Sequence, residues 1–287
     1  MNQISGAGLT RHFGDVVAVS SVDVAVDAGE VVGMVGANGS GKTTLIRMLL
    51  GLLPPTSGTV KLLGGAPTRE ARARVGYVPQ MGGLYDDLTV AENLAFTFAA
   101  YGGHGRATLP EDLAPTAGRL AGDLSLGLRR RAAFAIALAH DPELLVLDEP
   151  TSGVDPLASA RLWDAIRGAV ERGLGALVTT HHMSEAGQCD RLIVLAAGRV
   201  VAHGTQRQIV GDTQVVEVQT GDWERVFETL DAAGALVSIR GRTVRVIDRG
   251  PDEVQEALAR AHVEGRVSLE PATLDETFVR LTADSPA

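Results

Sequence analysis

Cysteine occurs once in the 287 residues, at Cys189, so no disulfide can form within the chain and a reducing compartment is the natural expectation. Basic residues are outnumbered, 26 against 35 acidic, and the formal net charge of −9 argues against the broad basic face that nucleic-acid binding needs. No charged-then-apolar leader pattern opens the chain. Long hydrophobic runs are missing as well. The longest uncharged stretches, around 48–60 and 93–105, are too short to cross a bilayer and are broken by Pro or Gly. These absences predict a chain soluble by itself, with any membrane role supplied by a partner. Lysine is the scarcest charge: two residues, against 24 arginines.

One of those two lysines lies in Gly36-Ala37-Asn38-Gly39-Ser40-Gly41-Lys42-Thr43, a Gly-x4-Gly-Lys-Thr pattern. A lysine kept where arginine is the default suggests chemistry that a planar guanidinium cannot do. The residues before it, 30–35, read as a short buried strand, and 43–53 reads as an amphipathic helix. Glycines between strand and helix let successive backbone N–H groups turn towards one anion, and the helix N-terminus adds partial positive charge. Lys42 brings a compact charge to the β- and γ-phosphates, and the Thr43 hydroxyl is a ligand for Mg2+. The sequence therefore predicts binding of a nucleoside triphosphate.

Further along, the chain alternates strands and helices. Alternating valines before residue 35 suit antiparallel strands, and Pro54-Pro55-Thr56-Ser57-Gly58 should end the helix that follows the phosphate-cradling loop 36–43, the P-loop. Short strands are expected near 59–63 and 75–78, and helices over 88–100 and 126–140, joined by the Gly- and Pro-rich stretch 102–123. Leu144 to Leu147 is a continuous apolar run, as in a parallel strand buried on both faces. A helix over 156–172, a strand over 175–180, a helix near 183–188 and strands near 191–202 follow. From 214 the pattern is strand, helix, strand, strand, helix, strand, helix. Charge changes there too: residues 212–287 hold 15 acidic and 8 basic side chains, against 20 and 18 in 1–211. The expectation is a nucleotide-binding α/β domain over 1–211 and a small C-terminal α/β domain over 212–287.

The apolar run ends in Asp148-Glu149, at the strand end where α/β sheets place ligands. Asp148 would hold Mg2+ through water, and Glu149 would act as general base on the attacking water.

With these residues in place, the chain resembles the nucleotide-binding subunits of ABC transporters over roughly residues 2–210. The resemblance implies a P-loop ATPase core with an antiparallel β subdomain and a helical subdomain, with ATP cradled by residues 36–43 and Thr44. It makes Gln80, after Val75-Gly76-Tyr77-Val78-Pro79, the glutamine that reaches the Mg2+ and water site. It makes His181, after Thr180, the switch residue for the γ-phosphate. Phe13, 23 residues before Gly36, takes the place of the aromatic that stacks on adenine. Ser152-Gly153-Val154-Asp155 resembles the loop at the dimer contact.

The signature departs from the family pattern, reading Leu124-Ser125-Leu126-Gly127-Leu128 where Leu-Ser-Gly-Gly-Gln is usual. Ser125 and Gly127 remain to face the γ-phosphate. Arg129, Arg130 and Arg131 follow near a helix N-terminus, where cations oppose the helix dipole; a nearby anion and a solvated basic face both stay open. Only 45 positions separate Gln80 from Ser125, fewer than the family usually has.

By this resemblance each ATP lies between the P-loop of one subunit and the signature of another, so a homodimer or a heterodimer with a paralogous ATPase is expected. The partner would be a separate transmembrane permease, placing the chain at the cytoplasmic face of the membrane. Phrases such as 49–58 and 148–156 resemble ATPases of multidrug and antibiotic-resistance exporters, and the stretch 274–281 their C-terminal extension. Import, lipid or polysaccharide export, and a weakly hydrolysing regulatory subunit stay open as alternatives.

Overall fold

Leu144 and Val146 enter one apolar core, with Val32, Met34 and Leu177, whereas Leu145 and Leu147 enter another, with Phe134, Trp163 and Ile166. Side chains alternate along a strand, so a run with no polar position must be covered on both faces. In the computed structural model, which describes residues 2–81, 83–103 and 107–283, that strand belongs to a six-stranded sheet. Its order is Val75–Val78, Leu144–Asp148, Gly175–Thr180, Val31–Val35, Arg191–Ala196, Arg199–Gly204. The first five strands pair in parallel. Leu144, Leu145 and Leu147 are fully buried, and each such side chain contributes about 1.5–3 kcal/mol.

One core is closed by the helices Leu126–Leu138 and Pro156–Glu171. The other takes in Leu45, Ile46, Met48 and Leu49 of the helix Lys42–Leu49, and Ile4, Leu9, Val19 and Val22 of an antiparallel sheet. That sheet has the order Val16–Asp27, Asn2–Phe13, Ser57–Leu62. The P-loop helix stops before the expected residue 53. Gly51 takes a φ of 65°, and the amides of Leu52 and Leu53 turn back to the carbonyl of Arg47, a left-handed glycine cap that halts a helix before any proline is reached. Positions 104–106 of the expected connection 102–123 lie outside the described residues.

The chain divides into Met1–Val200 and Val201–Ala287, upstream of the compositional change at 211. Residues 201–211 contain a single arginine and no acidic side chain, so a charge count is blind to this edge. In the second unit four antiparallel strands have the order Val237–Arg240, Thr243–Val246, Gln214–Gln219, Arg266–Pro271. The helices Trp223–Ala232 and Pro251–Arg260 make the two crossovers, a ferredoxin-like β-α-β-β-α-β arrangement. Val216, Val218, Val244 and Val246 pack beneath these helices with Val226, Leu230, Val254 and Leu258. The opposite face carries a buried charge, Arg245, 3% exposed, ion-paired to Glu217 at 3.0 Å and to Glu276 at 2.7 Å. Glu276 sits on the helix Leu274–Ala283. Among the described residues no helix is long and apolar enough to cross a membrane.

Candidate nucleotide site

The buried strand Val31–Val35 delivers the chain into the glycine-rich turn, and the helix Lys42–Leu49 leaves it. Two glycines are required there by geometry. A side chain at Gly36 would come within 2.5 Å of the Leu195 carbonyl, and Gly41, at a φ of 101°, faces the Ala18 carbonyl at the same distance. The N-cap, Gly41, gives the helix no side-chain cap, and its first turn has no acidic residue. Its leading N–H groups therefore lack the local acceptor that most helices supply. Among the described residues the buried Ser40 hydroxyl has no partner. Free N–H groups, an orphaned hydroxyl and an ammonium in one turn are a donor set suited to phosphate oxygens. Ala37, Asn38 and Gly39 form the exposed crest of the turn, and Thr44 is half-buried in the first helical turn.

Lys42 is buried and folds back on its own loop, donating to the carbonyls of Gly36 at 2.8 Å and Ala37 at 3.1 Å. It also lies 3.4 Å from Glu149 Oε1. Thr43 Oγ1 donates to Asp148 Oδ2 at 2.9 Å, which sets one hydroxyl and one carboxylate side by side, the hard-oxygen donors that Mg2+ accepts alongside water and phosphate. Glu149, 5% exposed, is the meeting point of the remaining groups. Gln80 Nε2 donates to its Oε2 at 3.0 Å, and His181 Nδ1 lies 3.1 Å from the same oxygen. Four sequence segments, carrying Lys42, Gln80, Glu149 and His181, thus meet at the Glu149 carboxylate. All four follow adjacent parallel strands of the sheet, at the ends where such sheets carry their sites.

Thr179 escaped the reading of the sequence. Its hydroxyl donates to Asp148 Oδ1 at 2.6 Å and accepts from the Glu149 N–H at 2.9 Å, tying both carboxylate residues to the neighbouring strand. Glu149 itself has a φ of 50°, a left-handed backbone that costs on the order of 1–3 kcal/mol outside glycine. The signal available was Thr179-Thr180 just before His181, polar positions in a strand otherwise apolar. Tyr77 lies beside this cluster, its phenol pushed up by burial and by the charge of Asp148.

The remaining site candidates lie apart from this cluster. Phe13 is 47% exposed near the end of its strand, with the Arg11 guanidinium 4.7 Å from its ring centre. Ser125 caps the helix Leu126–Leu138 through the Leu128 N–H, and Gly127 faces Val154, Asp155 and Ala158. Among the described residues neither Ser125 nor Gly127 bonds to the P-loop. The three arginines that follow all have protein partners: Arg129 pairs with Asp86, Arg131 with Asp112, and Arg130 donates to the Pro79 and Gln80 carbonyls.

A P-loop against a carboxylate-ended parallel strand, flanked by a helical subdomain and an antiparallel sheet, is the arrangement of an ABC-type ATPase. The sequence pattern that defines the ABC transporter family matches residues 19–152. Nod factor export ATP-binding protein I of Burkholderia lata is 38% identical, across 95% of this chain and 94% of its own length. The protein of that name in Cupriavidus metallidurans is 39% identical over the same shares. A solved ATP-binding subunit of an ABC transporter superposes with a TM-score of 0.64 at 28% identity, over 72% of this chain and 91% of its own. A dimeric bacterial ABC transporter cassette, at 24% identity and a TM-score of 0.62, shares the fold over 70% of this chain. The chain belongs to the ATP-binding subunits of ABC transporters, and it is an ATPase.

Proposed function

We propose that this chain hydrolyses ATP at the cluster around Glu149 and powers export of a small molecule through a separate membrane subunit. The observation that carries the reading is the buried carboxylate of Glu149, reached by Lys42, Gln80 and His181. In that arrangement Glu149 takes a proton from the attacking water, Gln80 and His181 orient the carboxylate and the reacting phosphate, and Lys42 leaves its loop carbonyls for phosphate oxygens. Residues 36–44 bind the phosphates, and Phe13 stacks on the base. Thr43 and Asp148, with Gln80 nearby, would hold Mg2+, which neutralises developing phosphate charge when bound. Ser125 and Gly127 complete the site of a second subunit, either a copy of this chain or a paralogue.

Export rather than import is supported by relatives that are named export proteins and are alike over nearly the whole chain. A drug-like cargo follows from the resemblance of 49–58 and 148–156 to multidrug exporters; the named cargo of the relatives, Nod factor, is the competing class. The membrane subunit would dock at the cytoplasmic face in the groove of about 600 Å³ lined by Gln80, Met81, Tyr85, Asp87 and Ala133. Met81 is 87% and Tyr85 55% exposed there. The second unit serves as an accessory domain outside the chemistry.

Lys42→Ala tests the nucleotide reading. ATP affinity by calorimetry should fall at least tenfold, because a charge-assisted contact to phosphate is lost; unchanged affinity would count against it. Isolating the chain from its native membrane should bring down one polytopic protein, and transport assays on that complex would separate the two cargo classes.

A further inference from the structure

Arg130 stands in the first turns of the helix Leu126–Leu138, where a cation is unfavourable beside the helix dipole. Its half-buried guanidinium nevertheless reaches to the loop that carries Gln80. Nη1 donates to the Pro79 carbonyl at 3.2 Å and Nη2 to the Gln80 carbonyl at 2.6 Å, while the buried Nε has no partner among the described residues. On the far side of that loop residue, the Gln80 amide donates to Glu149 at 3.0 Å. Burial and the neighbouring Arg129 hold the guanidinium below the usual arginine range, against the pull of Asp148 and Glu149. The first turn of the same helix is capped by Ser125.

The geometry points to Arg130 as a positioning residue: its forked guanidinium fixes the Gln80 loop to the helix that carries Ser125, so that the Gln80 amide and the signature move together. The inference rests on the assignment of Gln80 and Glu149 proposed above. A fork holds two successive carbonyls and thereby fixes the peptide between them, whereas an ammonium satisfies one and leaves the peptide free to turn. The peptide so fixed is the one that orients the Gln80 side chain. A shift of about 1 Å in a group contacting the general base is enough to lower turnover up to a hundredfold. Nucleotide affinity is set elsewhere, by the P-loop, and should be spared.

The test uses the full chain as wild type, R130K, R130M, Q80A and the Q80A/R130M double variant, with ATP turnover, KM and melting temperature measured for each. R130M should lower kcat about ten- to a hundredfold with KM for ATP within about twofold, the pattern of an interaction made only in the transition state. R130K should recover part of the loss. The double variant should be no slower than the slower single variant, since residues that act through one another are not additive. Wild-type kcat in R130M, a raised KM at unchanged kcat, or losses that multiply in the double variant would each overturn the inference. A wild-type rate in Q80A would overturn the role given to Gln80; with R130M still slow, it would show that Arg130 acts by another route. Should R130M lose its melting transition, R130K carries the same comparison.

Discussion

Thr179 holds the two carboxylate residues of the site with one hydroxyl, as donor to Asp148 and acceptor from the backbone of Glu149. Thr179→Val keeps the shape and β-branching and removes both bonds. A buried N–H and a buried carboxylate oxygen are then left unpaired, which costs about 1–3 kcal/mol. The variant should unfold at lower denaturant and turn over more slowly, since the left-handed backbone of Glu149 loses the bond that holds it; wild-type stability in a urea titration would show that the hydroxyl is dispensable. Lys42, Thr43, Asp148 and Glu149 were legible from sequence because each belongs to a spaced motif whose chemistry is explicit. Thr179 was not, because a threonine in a buried strand reads equally well as β-branched filler. Arg130 was visible only as part of a basic triplet, and its partners are backbone carbonyls about 50 positions away in sequence, a relation no local pattern encodes.

Among the elements, the buried strands were the easiest to read. Leu144–Asp148 and Gly175–Thr180 coincide with expected strands, the first because a strand covered on both faces shows as the continuous apolar run Leu144 to Leu147. Helix ends were harder, because Gly51 stops the P-loop helix by its φ rather than by its neighbours. The helix Leu126–Leu138 holds the least usual feature of the site. Leu126 is 44% exposed at the first helical position, while Leu128 packs against the core beneath the helix. The two departures from the usual signature are thus of different kinds. Leu128 contributes to stability, whereas Leu126 presents an apolar side chain beside Ser125 and Gly127, with a methyl 3.0 Å from where a side chain at Gly153 would begin. Leu126→Gly should free that approach and speed ATP turnover a few-fold, equivalent to less than about 1.4 kcal/mol of barrier. An unchanged rate in the steady-state assay would mean that Ser125, Gly127 and the helix N-terminus already suffice.

The whole molecule joins a catalytic unit to a second unit with its own core and its own buried ion network. Arg245→Ala leaves Glu276 buried and Glu217 half-buried without their cation, and breaking such a buried pair costs about 3–5 kcal/mol. Because the cluster around Glu149 lies wholly within Met1–Val200, ATP affinity of this variant should stay at the wild-type value while the second unit melts earlier in a calorimetric scan; a single unchanged transition would refute the cost assigned to the pair. The proposed composite site makes the larger claim, since Ser125 and Gly127 make no bond to the P-loop of their own chain among the described residues and are proposed to serve that of another. Glu149→Gln keeps the hydrogen-bonding shape and removes the proposed base. Sedimentation and ATP turnover of this variant with Mg2+ and ATP test the account most directly: a nucleotide-dependent dimer should accumulate, with hydrolysis lowered roughly 10²–10⁴-fold. Wild-type turnover, or a monomer at saturating ATP, would contradict it.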